Sequence, residues 1–149
     1  MCFKIPVVKP TPTYEEFQID ANTLNSSIRS AISLLPPDII YNWDYWYYYV
    51  SLENWRDIIE DVFLSMPKYV TEKFDCENFA LLTASTVSSK YKLNTMGIAV
   101  GEVPGGEHGF NIFPARTVAG REFFFLEPQT ADIIPVAGSD YKPRMVIIG

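Results

Sequence analysis

The sequence predicts an α+β domain in which N-terminal helices pack on an antiparallel β-sheet. Before Lys92, apolar residues recur mainly every three or four positions, which is helical spacing. After Lys92, short β-branched or aromatic runs are separated by turns that contain Gly and Pro. Helices followed by strands are the order typical of an α+β domain.

Length and composition predict one domain behind a short arm. A chain of 149 residues is about one domain long. Residues 1–14 contain Pro6, Pro10 and Pro12 and are predicted to form an extended arm. Residues 15–149 are then a single domain, and their apolar content allows a core that needs no disulfide.

Three helices are predicted from capping residues at their N-termini and from the residues that end them. The first begins with Asn22 or Thr23 as N-cap and ends before Pro36. The second is capped by Ser51, because a serine hydroxyl accepts a hydrogen bond from an unpaired first-turn amide. The third opens at Asp75 and runs to about residue 90.

The second half of the sequence is predicted to form strands, and the conformation of one aromatic run in the first half remains unassigned. The predicted strands are 96–103, 110–113, 122–126 and 144–148. Residues 104–107 then form a hairpin loop that leads into the strand of His108. The run from Trp43 to Tyr49 shows no polar alternation, so the sequence does not fix its conformation.

Charge and hydropathy exclude several classes of partner. Twelve basic against eighteen acidic residues give a net charge of -6, which argues against nucleic-acid binding. No run of about eighteen apolar residues exists, and the N-terminus lacks a signal-peptide pattern, so we expect a cytoplasmic protein without a membrane partner. The oligomeric state is left open.

Cys76 is a candidate nucleophile because it would lead the third helix. A helix N-terminus stabilises a thiolate, and its free amides can donate to an oxyanion. The flanking carboxylates Asp75 and Glu77 oppose this effect, because negative charge raises a thiol pKa. The alternative is a small buried cysteine without a chemical role.

His108 and Glu127 supply the other two parts of a cysteine acyl-transfer site. His108 is the only histidine of the chain. Glu127 ends the apolar run 123–126, and a partly desolvated carboxylate there needs a partner such as an imidazole N–H. A surface histidine in a turn and a solvent-facing glutamate are the alternatives.

Further candidates surround these three residues. Gln129 and Asn111 are candidates for positioning a substrate or an oxyanion through their amides. No cofactor is required by this chemistry. Calcium is a weaker suggestion, with Asp75 and Glu77 as hard oxygen donors, and a solvated acidic surface explains them about as well.

Three motifs resemble the transglutaminase-like branch of the papain-like superfamily. They are Asp75-Cys76-Glu77-Asn78-Phe79-Ala80, His108-Gly109-Phe110-Asn111 and Phe125-Leu126-Glu127-Pro128-Gln129-Thr130. The family pattern has Asp in place of Glu127 and Trp in place of Phe110. A Glu as third member, with a Gln two residues later, is similar to the calcium-dependent papain-like domain of mushroom lectins.

The resemblance implies a papain-like or transglutaminase-like core with the nucleophile at a helix N-terminus. It also implies a thiol-dependent acyl-transfer enzyme, a cysteine peptidase or amidase with a Cys76-His108-Glu127 triad and a peptide or protein substrate. An amine acceptor in place of water would make it a transglutaminase. A third reading is a non-catalytic protein-interaction module with a vestigial site, which the aromatic run 43–49 motivates.

Overall fold

The computed structural model describes residues 13–32 and 36–149. In this part of the chain the elements follow in the order β1 (Phe17–Asp20), α1 (Ala21–Ala31), β2 (Ile39–Asn42), β3 (Trp46–Tyr49), α2 (Leu52–Phe63), α3 (Cys76–Tyr91), β4 (Gly97–Val103), β5 (Gly106–Thr117), β6 (Gly120–Glu127), β7 (Asp132–Pro135) and β8 (Lys142–Ile148). The predicted arm, apart from its last two residues, lies outside the described ranges.

The main sheet has six strands in the order β2-β8-β4-β5-β6-β7, and a second sheet pairs β1 with β3. The prediction of an antiparallel sheet is wrong, because β2 runs parallel to β8 and makes the main sheet mixed. A parallel pair needs a long crossover. Here the whole chain between residues 42 and 142 connects the two strands, so no local pattern could reveal the pairing.

The predicted segregation of helices and strands is also wrong. Strands β1, β2 and β3 alternate with α1 and precede α2, so the described chain is mostly β. Each of these strands has only four residues, as does the unpredicted β7. Four residues are too few for a period of two to stand out from the sequence.

The helices begin close to the predicted positions. The cap of α1 is Asp20 and not Asn22 or Thr23, because Asp20 Oδ1 accepts a hydrogen bond from Thr23 N at 3.0 Å. The Ser51 cap of α2 is confirmed, with Oγ accepting from Asn54 N at 3.2 Å.

Helix α3 begins at Cys76 with Asp75 in the N-cap position, as predicted. Asn78 Oδ1 accepts a hydrogen bond from the Asp75 amide at 3.2 Å, which is one half of a capping box. The helix ends at Tyr91, and its C-cap residue Lys92 has a left-handed conformation. The thiol therefore sits at the start of a well-defined helix.

Strand β5 organises the core because its side chains alternate between two faces. Phe113 meets Trp55 of α2, with ring centroids 5.0 Å apart, and the indole N–H donates to Pro114 O at 2.8 Å. Phe110, on the other face, packs against Phe125 and Tyr141 at 5.2 and 5.0 Å. Both faces of the central strand are therefore buried.

The aromatic run divides into a buried and an exposed part. Tyr47 and Tyr49 of β3 are buried, as alternation along a strand requires. Trp43, Tyr45 and Trp46 are exposed. Among the described residues, no helix is both long enough and apolar enough to cross a membrane.

Candidate functional site

His108 and Glu127 form a hydrogen-bonded pair at the edge of the buried core. His108 Nε2 lies 2.7 Å from Glu127 Oε2, and both side chains are largely shielded from solvent. The register that pairs Asn111 with Leu126 puts Glu127 opposite Phe110, so Glu127 and His108 are diagonal neighbours across β5 and β6. Sequence reasoning predicted this partnership from the apolar run before Glu127.

The Glu127 carboxylate receives two more hydrogen bonds. The Gln129 amide donates to Oε1 at 3.1 Å, and the Tyr141 hydroxyl donates to Oε2 at 3.1 Å. Burial raises the pKa of Glu127, but the hydrogen bonds from His108, Gln129 and Tyr141 outweigh it and hold the pKa below its ordinary value. Burial and the nearby Glu127 charge raise the pKa of Tyr141 to about 12.

Cys76 lies close to this pair in space but outside its hydrogen bonds. Its thiol donates to Glu77 Oε2 at 3.3 Å, and no hydrogen bond joins it to the imidazole of His108. The residue of β5 nearest the helix start is Gly109, where a Cβ would come within 2.8 Å of Glu77 Cα. His108 instead stacks with Phe110 on the other face of β5.

The surroundings of Cys76 favour the protonated thiol. Burial raises its pKa first, and the hydrogen bond and charge of Glu77 raise it further. The Gly109 amide acts in the opposite direction without reversing the shift. Burial, together with Glu77, therefore keeps the pKa of Cys76 above its ordinary value, and a nucleophilic thiolate is disfavoured.

The two predicted positioning residues have different surroundings. Asn111 is fully buried, and its Nδ2 donates to Ala80 O at 2.9 Å and to Gly97 O at 3.1 Å, which ties α3 to β4. It does not face an open surface. Gln129 is exposed beside the pair, which its backbone amide contacts. The assignment of Cys76, His108 and Glu127 to one site, with Gln129 and Asn111 as its positioning residues, stays a prediction.

The weak metal candidates interact with each other. A hydrogen bond with Glu77 raises the pKa of the Asp75 carboxyl. The carboxylate of Glu107, on β5, forms an ion pair with Arg144. Within residues 13–32 and 36–149, no three His, Cys, Asp or Glu side chains are arranged to hold a metal ion. Calcium binding stays a prediction.

A second candidate site is the aromatic surface, which we define as Tyr41, Trp43, Tyr45 and Trp46. The exposed fractions of these side chains are 54%, 76%, 61% and 47%, respectively. The rings of Tyr45 and Trp46 meet edge to face, with centroids 5.0 Å apart. Several exposed aromatic side chains in one short segment make that segment a candidate binding surface.

Asn94 holds the segment that carries the aromatic surface. Its Nδ2 donates to Asp44 Oδ2 at 2.9 Å and to Trp46 O at 3.0 Å, while its Oδ1 accepts from Tyr48 N at 2.9 Å. The Asp44 amide donates to the Tyr47 hydroxyl at 2.9 Å. The segment is therefore preorganised, and a polar pair lies beside the rings. Nothing in the sequence links Asn94 to residues 44–48.

Solved structures share this fold. The PSL1a–E64 complex matches with a TM-score of 0.63 and 22% identity, over 87% of this chain and 51% of that chain. A crystal structure of Polyporus squamosus lectin bound to the human-type influenza-binding epitope Neu5Acα2-6Galβ1-4GlcNAc matches with a TM-score of 0.69 and 19% identity, over 87% of this chain and 49% of that chain. This chain spans about half the length of the solved chains it matches. No family model and no curated protein matches the sequence.

These matches correct the interpretation drawn from the three motifs. At this identity the likeness shows the fold alone, and that fold occurs in a lectin structure. The predicted membership of the papain-like superfamily is therefore wrong, as is its papain-like core. The predicted cysteine peptidase, amidase or transglutaminase is wrong on the same finding.

Proposed function

We propose that this domain is a non-catalytic binding module whose ligand is a carbohydrate. The aromatic surface carries the proposal. Four exposed rings belong to the short segment 41–46, which also contains Asp44 of the Asp44–Asn94 pair, so apolar faces and hydrogen-bonding groups occur together in one segment. This is the combination that a sugar presents, with C–H groups on one face and hydroxyls around the rim.

Rigidity of the surface supports binding. The Trp43 amide donates to Ile148 O at 3.1 Å, and Asn94 fixes the segment from Asp44 to Trp46. Little conformational entropy is then lost when a ligand binds, because the loop is already ordered, and this favours affinity. The fold likeness to a lectin points in the same direction, although the chain that binds the glycan in that structure is about twice as long.

A titration with the neutral disaccharide Galβ1-4GlcNAc tests the proposal. We expect the fluorescence of the exposed Trp43 and Trp46 to change saturably, while the buried Trp55 contributes a constant background. Trp43→Ala should weaken binding about tenfold or more, because a stacked ring is worth roughly 1–2 kcal/mol. Tyr69→Ala is the matched control, since Tyr69 is half exposed and lies on a different segment.

Two outcomes would overturn the proposal. One is the absence of saturable binding to any member of a panel of neutral glycans. The other is binding that Trp43→Ala and Tyr45→Ala leave unchanged. Cys76→Ala should bind as the unaltered chain does, because the thiol lies outside the aromatic surface.

A further inference from the structure

A cavity lies between α1 and β6, and we call it the α1–β6 groove. Its volume is about 600 Å³, enough for a small ligand. Its walls and floor include Ser26, Ser27, Ser30, Arg121, Phe123 and Pro135. Three serine hydroxyls from two adjacent turns of α1 therefore line the groove together with a guanidinium and a mostly buried phenyl ring.

Arg121 is the only cation that lines the groove among the described residues, and its donors are largely free. Its Nη2 donates to Ser27 Oγ at 3.1 Å, which is its one side-chain hydrogen bond within the described part of the chain. A guanidinium has five N–H donors in a planar fork that matches a carboxylate. Most of these donors remain available to a ligand.

A second arginine increases the positive charge at this position. Arg116 of β5 lies directly opposite Arg121 in the β5–β6 register. Like charges in such a pair are destabilising. Arg116 stacks over the Phe17 ring at 5.4 Å, and neither arginine forms an ion pair with a described residue. An anion bound at Arg121 would relieve this repulsion.

The carboxylate in the lining does not neutralise Arg121. Glu122 follows Arg121 along β6, so its side chain points to the opposite face of the strand. Its Oε2 accepts a hydrogen bond from Thr117 Oγ1 at 2.5 Å. The face of β6 that carries Arg121 therefore keeps its positive charge.

We propose that the α1–β6 groove binds a small carboxylate ligand that also carries hydroxyl groups, the chemistry of an acidic monosaccharide. Arg121 holds the carboxylate, the serine hydroxyls of α1 exchange hydrogen bonds with the ligand hydroxyls, and Phe123 supports its apolar face. The groove shares no residue with the aromatic surface, so the two sites stand independently.

An amide chemical-shift titration with sodium D-glucuronate tests the site, with D-glucose as the neutral match. We expect saturable shifts in residues 26–30 and 121–124 with glucuronate and much weaker ones with glucose. Arg121→Gln should lower the glucuronate affinity about tenfold to hundredfold, because it removes charge-assisted hydrogen bonds. Arg121→Lys keeps the positive charge but loses the planar set of N–H donors, so its glucuronate affinity should lie between those of the unaltered chain and Arg121→Gln.

Arg144→Gln and Trp43→Ala are the controls. Arg144 is an exposed arginine paired with Glu107 elsewhere, and Trp43 belongs to the aromatic surface. Both variants should bind glucuronate as the unaltered chain does, even if Trp43→Ala loses the neutral glycan. Equal binding of glucose and glucuronate, unchanged binding in folded Arg121→Gln and Arg121→Lys, or no saturable shift would each overturn the proposal.

Discussion

His108 and Glu127 meet side chain to side chain, with Nε2 and Oε2 2.7 Å apart, where β5 and β6 run past each other. The pair is shielded from solvent, and Tyr141 adds a third side chain to it. The thiol of Cys76 bonds to its own neighbour Glu77 instead. The hydrogen bonds of this cluster thus connect β5, β6 and the segment just before β8.

Glu127→Gln should weaken the fold at neutral pH and change its response to acid. Hydrogen bonds hold the pKa of Glu127 below its ordinary value. Such a group stabilises the fold above the unfolded pKa and loses that contribution as pH falls through the folded pKa. We expect the free energy of unfolding to drop by about 1–2 kcal/mol at pH 7, and to vary less with pH below about 4.

Urea unfolding from pH 2 to pH 8 measures this effect. Glu16→Gln is the control, because Glu16 is exposed and outside the cluster. An acid response of Glu127→Gln equal to that of the unaltered chain would contradict the role assigned to the carboxylate.

Tyr141→Phe should make the protein more resistant to alkali. The pKa of Tyr141 is raised from 10.0 to about 12, so the fold favours the neutral phenol. Its contribution is fully present below pH 10.0 and is lost as pH rises to about 12. Phenylalanine cannot ionise, so the free energy of unfolding of Tyr141→Phe should decrease less steeply with pH across that window. Unfolding followed by circular dichroism measures this free energy. Tyr45→Phe, at an exposed ring, should leave the slope unchanged.

Cys76 should react slowly with iodoacetamide at pH 7. Burial and Glu77 raise its pKa, and the thiolate is the reactive form. Glu77→Gln removes the negative charge and should accelerate labelling, whereas Glu53→Gln, in the first turn of α2, should not. Mass spectrometry of the Cys76 peptide separates this thiol from Cys2. Labelling faster than that of a free peptide thiol would reopen the nucleophile interpretation.

Gly109→Ala should destabilise the domain by about 2 kcal/mol or more, because overpacked sites force the backbone to shift. The added Cβ would lie 2.8 Å from Glu77 Cα and 3.0 Å from Glu77 N, both backbone atoms of α3. Thermal unfolding measures the loss. Gly105→Ala provides the comparison, since no atom lies within 4 Å of its Cβ and only its positive φ is penalised. Equal losses at both positions would contradict close packing at Gly109.

Local signals explain what sequence reasoning predicted correctly. The Ser51 cap and the Asp75 N-cap position were readable because a helix start depends on residues within one turn. The partnership of His108 and Glu127 was predictable because a carboxylate at the end of an apolar strand needs a donor. The motif resemblance, by contrast, led to a wrong family and a wrong activity.

By itself the sequence determined the three helices, the four longer strands and the contact between His108 and Glu127. Only the tertiary structure decided the parallel pairing of β2 with β8, the exposure of Trp43 against the burial of Tyr47, and the close packing of Gly109 of β5 against Glu77 of α3. Caps and periodicity act over a few residues. Strand partners and burial depend on groups up to a hundred residues away, whose positions no local pattern contains.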